Sequence, residues 1–286
     1  APEEGTAMTQ IDQTHLKTIE QRLLWLSHWT IHNANHIRPK TDGIKVGGHE
    51  ASSASMVSIT TALYYSALRP EDRVAVKPHA SPIFHAIQYL MGNQTREKME
   101  NFRGYQGVQS YPSRTKDIDD VDFSTGSVGL GVAITSFASL IQDYITAKGW
   151  GADAPMGRMV ALVGDAELDE GNIYEALQEG WKNDRRNCWC VIDYNRQSLD
   201  AVISDRLFSQ IDRIFDTMGW RVVTLKYGKK LEAASRRPGA DAPRRGIGAF
   251  APTRSSLGFG PPPRRCGDGR GALHQASCVK PCDAPR

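Results

Sequence analysis

A doubly wound parallel α/β sheet flanked by helices is the fold this sequence predicts, and three observations carry the prediction. Two apolar runs, VALVG at residues 160–164 and CWCVID at residues 188–193, stop on Asp165 and on Asp193-Tyr194-Asn195. A hydrophobic run that ends on an acid usually places that acid at the carboxyl edge of a parallel sheet, where open α/β folds bind ligands. Between the runs lie acids and a helical pattern, room for one crossover, and the chain before and after them alternates helical and strand patterns in the same way.

Length and composition bound the function. A chain of 286 residues with 40% hydrophobic content is long enough for one large domain or two small ones. No apolar run approaches the roughly 18 residues of a membrane helix, so a soluble protein with no membrane partner is expected. The opening stretch APEEGTAMTQ is acidic and polar, unlike a secretory signal, which makes Met8 the expected natural start and the cytoplasm the expected location. Five cysteines, with Cys188 and Cys190 inside an expected buried strand, do not form a disulfide framework and read as reduced core residues.

Residues 13–38 bring Leu16, Ile19, Leu23, Leu24, Leu26 and Trp29 to near-helical spacing, so a helix is expected there. His28, His32 and His36 repeat every four residues on it, a spacing that metal ligation and a plain exposed face both satisfy. Gly47-Gly48 permits a tight turn before a helix from residue 51 onward with small residues on one side, and His49 sits at its mouth. RVAVKPHASPIFHAIQYL then reads as strand, loop and helix, with His79 just past the strand end and His85 within the helix. Following a turn or a strand end marks His49 and His79 as candidate active-site groups, whereas His85 reads as packing. Gly126, Gly129 and Gly131 precede the apolar helix VAITSFASLIQDYI, where backbone N–H groups can meet an anion, or where helix and strand pack closely. Beyond the two Asp-ended strands and a helix at residues 171–181, a helix at 205–218 and the strand WRVVTLKY complete the alternation.

The tail departs from this pattern. Residues 235–286 hold nine Arg, one Lys, three Asp and no Glu, so the basic balance of the chain (+3) belongs to the tail and the preceding residues are net acidic. Dense Pro, Gly and Arg without amphipathic period predict disorder. A nucleic-acid-binding arm, a zinc site from Cys266, His274, Cys278 and Cys282, and an out-of-frame segment never selected to fold are the readings that compete. A single Lys, two Phe and the absence of a paired C-x-x-C favour the last, with no nucleic-acid partner.

Asp165 and Asn195 lie thirty positions apart, spaced for a strand end, a crossover helix and the end of a neighbouring parallel strand. Both are hard oxygen donors. With a backbone carbonyl they make a set suited to Mg2+, leaving positions for diphosphate oxygens and water. Glu167, Asp169 and Glu170 begin the next helix and read as capping or supporting groups rather than ligands.

Gly164-Asp165 followed by Asn195 resembles the thiamine diphosphate motif of the transketolase and 2-oxo acid dehydrogenase superfamily. GGHEAS at residues 47–52, PHASP at 78–82, NFRGYQGVQSYP at 101–112, SVGLG at 127–131 and GDAELDE at 164–170 follow the order of the homodimeric type of pyruvate dehydrogenase decarboxylating component. These motifs cover roughly residues 13–230, and the resemblance dissolves after about Leu231. It implies a thiamine diphosphate domain over residues 1–234, with Mg2+ on Asp165, Asn195 and the Gln197 backbone carbonyl. His49 and His79 would be acid/base and substrate-orienting groups, and Ser52, Gly126, Val128, Gly164, Ala166 and Glu167 would line the cofactor.

The implied activity is decarboxylation of pyruvate with acetyl transfer to a lipoyl-bearing acyltransferase; ketol transfer between sugar phosphates and an inactive cofactor-binding module are the alternatives. Two positions depart from the general motif: Ala166 stands where Gly is usual, and Asp193 where the first Asn is usual, a position expected to be structural. The larger departure is extent. The resemblance implies a further pyrimidine-binding domain carrying a catalytic glutamate, so this chain is expected to be inactive alone and to need a homodimeric or complementary partner.

Overall fold

The computed structural model describes residues 12–40, 42–151, 155–195, 197–198, 201–202, 208–226 and 275–281. They fall into two units: Ala1–Pro70 with His79–Val121, and Glu71–Pro78 with Asp122–Arg286.

Unit 1 is helical. Helix α1 (Gln13–His32) is capped by Asp12, whose carboxylate accepts from the Thr14 N–H at 3.0 Å. It runs on into a π-helical turn, Asn33–Ile37, in which Asn33, Ala34 and Asn35 are all buried. A wider turn shifts which side chains face inward, and here it turns two amides into the unit while His32 and His36 stay exposed. The spaced histidines therefore present an outer face: His32 and His36 rings lie 4.8 Å apart, and His28 Nδ1 donates to the Leu24 carbonyl at 2.9 Å. Helix α2 (Glu50–Ala62) ends in a second π-helical turn, Leu63–Ala67, and α3 (Ser81–Leu90) is buried from Ser81 to Gln88. The short α4 (Arg96–Glu100) starts on Thr95, which accepts from the Lys98 N–H. α1, α2 and α3 pack on one another and bury Leu23, Ile31, Met56, Ile83 and Ile87.

Unit 2 holds the sheet. β1 (Arg73–Ala75), β2 (Met159–Gly164) and β3 (Cys188–Asp193) are parallel neighbours. Helices α5 (Leu130–Ala147) and α6 (Gly171–Lys182) pack together, and Val132, Ile173, Ala176 and Leu177 meet Met159, Ala161, Val163, Cys188, Cys190 and Ile192 in one core. Val160 and Leu162 are buried as well, so β2 is covered on both faces and its sequence is a continuous apolar run rather than an alternation. Cys188 and Cys190 are both buried in the core beside β2. Asp72 accepts from the Arg158 backbone N–H at 2.7 Å and from its guanidinium, tying the starts of β1 and β2 together.

β4 (Gln197–Ser198) and β5 (Ala201–Val202) pair antiparallel; α7 (Phe208–Thr217) and β6 (Trp220–Lys226) follow. Beside the parallel neighbours β1, β2 and β3, the sheet also holds antiparallel pairs. β7 (Gln275–Pro281) inserts antiparallel between β3 and β6, giving the order β1-β2-β3-β7-β6. This strand lies in the segment expected to lack structure. The edges of β3 and β6 offer backbone N–H and C=O groups to any stretch that can extend, and QASCVK has no Gly or Pro to break such pairing. Of the suggested zinc residues, Cys266, His274 and Cys282 lie outside the described residues, and Cys278 is a β7 position. A correction concerns apolar length: α5 has 18 residues and is by length and composition apolar enough to cross a membrane. It packs on β1, β2 and β3 of unit 2.

Candidate cofactor site

In unit 2 the geometry starts from strand register. Gly164 of β2 pairs with Asp193 of β3, so Asp165 and Asn195 leave neighbouring strand ends, one residue and two residues beyond the paired position. The turn Asp165–Asp169 that follows β2 lies beside β4, the strand of Gln197. Asp165 and Asn195 thus follow neighbouring strand ends, and Gln197 lies in an element that borders the turn after β2. Asp165 is buried, and its Oδ1 accepts from the Ala166 N–H at 3.1 Å. The Asn195 amide nitrogen donates to Asp193 Oδ2 at 3.1 Å.

Asp193, at the position expected to be structural, is fully buried and ion-paired with Lys77 at 3.0 Å. One carboxylate thus fixes the Asn195 side chain and neutralises a lysine on the neighbouring chain segment. No local pattern marks Lys77 as the partner: it sits 116 positions away.

Glu167 is a supporting group within unit 2. Instead of capping α6, its carboxylate bridges the end of β2 to the start of α5, accepting from the Gly164 N–H at 2.8 Å and the Gly129 N–H at 2.9 Å. Burial raises its pKa above the usual glutamate value, against the opposing pull of those two N–H groups and of Lys77. Asp169 and Glu170 are exposed. Gly129 requires its missing side chain: φ is +80°, and a Cβ would lie 2.8 Å from the Glu170 Cβ. Gly126 is exposed and Val128 half-buried in the loop before α5. Ala166 is half-buried and is not among the positive-φ residues, so a Cβ is tolerated where the general motif has Gly.

Unit 1 carries the two histidines. His49 caps α2 from the left-handed region (φ 55°, ψ 55°), and His79 lies in the 3₁₀ turn Pro78–Ala80. Their rings stack, 4.1 Å between centroids and 19° between planes, with Tyr111 6.0 Å from His79. Ser52, in the first turn of α2, has a buried Oγ with no hydrogen-bond partner among the described residues, a hydroxyl suited to an incoming polar group.

His85 is more than packing. Fully buried, it sets Nδ1 against Asp119 and Nε2 3.0 Å from the Gln109 carbonyl oxygen, while Gln94 donates to the other Asp119 oxygen at 2.7 Å. Asp117 accepts from the Gln109 and Ser113 N–H groups, and burial raises its pKa. The ligand atoms of His85, Asp117 and Asp119 lie within 4.8 Å of one another, but His85 ties the loop of residues 109–119 to α3 through Asp119 and Gln109, and Asp117 accepts from N–H groups within that loop. Sequence reading missed this cluster because its members sit on separate segments with no common motif.

The family model described as transketolase, thiamine diphosphate binding domain, matches residues 41–277. The match runs well past Leu231, beyond the point where the sequence motifs stop. The pyruvate dehydrogenase E1 component of Escherichia coli K12 is 25% identical over 232 residues, covering 77% of this chain and 26% of that protein. Its counterpart from Cupriavidus necator is 28% identical over 203 residues, covering 67% and 23%. Among solved structures, a transketolase from Campylobacter jejuni has a TM-score of 0.60 at 21% identity over 73% of this chain and 33% of its own. A transketolase mutant from Pichia stipitis has a TM-score of 0.63 at 20% identity, over 73% and 31%. These structures share the fold; the chain spans only 23–26% of the length of the two curated relatives. With the family pattern running through both units, the chain belongs to the family of the transketolase thiamine diphosphate-binding domain.

Proposed function

We propose that this chain binds thiamine diphosphate through Mg2+ held by Asp165, Asn195 and the Gln197 backbone carbonyl, as the cofactor-binding part of a 2-oxo acid dehydrogenase acting on pyruvate. The observation that carries the reading is the Gly164–Asp193 pairing, which sends the two oxygen donors off neighbouring strand ends beside β4. A carboxylate, an amide oxygen and a carbonyl form the hard donor set that Mg2+ takes, with positions left for phosphate oxygens and water. In unit 1 the unpartnered buried Ser52 Oγ is suited to a polar ligand group; in unit 2 the lining positions are Gly126, Val128, Gly164, Ala166 and Glu167. His49 and His79 serve as proton-handling and substrate-orienting groups; their stacked rings hold two imidazoles in fixed mutual orientation. Bound thiamine diphosphate would supply the carbanion-stabilising chemistry that side chains lack.

Pyruvate as substrate, and acetyl transfer to a lipoyl-bearing acyltransferase, rest on relatives named pyruvate dehydrogenase E1 component at 25–28% identity. Ketol transfer is the second reading, favoured by solved neighbours that are transketolases. In either case the chain works in a cytoplasmic homodimer or with a complementary polypeptide.

The binding test is calorimetry of thiamine diphosphate with the full chain, with and without Mg2+. Binding that requires Mg2+ and falls at least tenfold in Asp165→Ala is the expected result. Unchanged affinity in that variant would remove Asp165 from the metal site.

A further inference from the structure

The bend that presents His49 is strained, and it is held from outside. Gly47, Gly48 and His49 all have positive φ (82°, 145° and 55°). For a residue with a Cβ the left-handed region is unfavourable and persists only where surrounding structure imposes it. Asn35 supplies much of that restraint. Its side chain pairs with the Gly47 backbone in both directions, Nδ2 donating to the Gly47 carbonyl and the Gly47 N–H donating to Oδ1, each at 2.9 Å. The amide therefore takes the place of a neighbouring strand.

Asn35 is itself fixed. Nδ2 also donates to the Ile31 carbonyl at 2.8 Å, and Lys40 donates to the Asn35 carbonyl at 2.8 Å. The side chain is buried because the π-helical turn Asn33–Ile37 turns it inward. Arg103 holds the other side: its Nη1 donates to the Val46 carbonyl at 2.9 Å and lies 2.9 Å from where a Gly47 Cβ would be. A Gly48 Cβ would meet Ile31 at 2.7 Å, so the bend is closed from α1 as well.

We propose that Asn35, seconded by Arg103, is a positioning residue that holds the Gly47–Gly48–His49 bend and so keeps the His49 ring stacked on His79. Its value for catalysis rests on the role proposed above for the histidine pair, but the positioning itself is read without cofactor or substrate. A side chain that only stabilised α1 would leave the ring contact unchanged; one that positions His49 governs it.

The test is NMR of the full chain with labelled histidines, reading the nuclear Overhauser contact and mutual ring-current shifts of His49 and His79, with the His85 ring as an internal control for the folding of unit 1. Asn35→Asp keeps the acceptor for the Gly47 N–H and deletes the donor to its carbonyl. The expected result is loss of the His49–His79 contact with His85 signals unmoved; a contact retained at wild-type intensity overturns the proposal. Should Asn35→Asp also lose the His85 signals, Arg103→Lys decides, since it removes the planar Nη1 donor to Val46: a weakened contact upholds the clamp, and an unchanged one overturns it. Failure of the wild-type chain to bind thiamine diphosphate with Mg2+ would instead overturn the functional reading and leave this contact test intact.

Discussion

At the scale of single residues, Lys77 and Asp193 show how one buried ion pair locks two distant chain segments together. Both are buried and paired at 3.0 Å, and Asp193 also receives the Asn195 amide. Removing one member of a buried pair leaves the other charge desolvated without its counterion, which typically costs about 3–5 kcal/mol. Lys77→Met should therefore lower stability by that order in urea unfolding. Neutralising the survivor as well, in Lys77→Met/Asp193→Asn, should restore most of the loss. A single variant within about 1 kcal/mol of wild type would show that the pair has little structural weight. Glu167 acts by the same logic, one carboxylate joining the end of β2 to the start of α5.

At the scale of elements, α5 is inverted relative to an ordinary surface helix. Apart from Val132 its inward residues are small or hydroxylic, Gly131, Thr135, Ser136 and Ser139, while Phe137 and Ile141 are 48% and 59% exposed. Small inward groups let the helix lie close to the sheet and to α6; Gly131 sits so near β1 that a Cβ would stand 3.3 Å from that of Ala75. Enlarging the inner face should strain this packing, and Ser139→Leu should cost about 1–3 kcal/mol. Ile141→Lys, on the outer face, should stay within about 0.5 kcal/mol. Chemical unfolding of the two variants is the measurement, and the reverse order of effects would contradict the facing assigned to α5.

At the scale of the molecule, the chain spans 26% of the Escherichia coli relative and 33% of the Campylobacter transketolase. On the function proposed above, the chain works in a homodimer or with a complementary polypeptide. Purified chain with Mg2+ and thiamine diphosphate should release carbon dioxide from pyruvate at no more than about a hundredth of a full-length relative's rate, the scale of losing one proton-transfer group. Steady-state carbon dioxide release is the assay. Turnover near the full-length rate would defeat the requirement for a partner, and activity that appears only with a complementary polypeptide would support it.

The alternation of strands and helices, the strand ends at Gly164 and Asp193, and the glycines at residues 47, 48 and 129 are written in the amino-acid order. Each of these is a local property: apolar runs set strands, and backbone bends forbid side chains. The candidate ligands Asp165 and Asn195 were legible for the same reason, since a strand end and a crossover length are written along the chain. Partnerships between distant positions were not legible: Lys77 with Asp193, Asn35 with Gly47, His85 with Asp119. They depend on the folded packing, because a buried polar group must find its partner among whatever atoms packing brings near, and no local pattern records which ones those are. The place of β7 was decided in the same way, by the open edges of β3 and β6 and not by a strand signal in an Arg-, Pro- and Gly-rich segment.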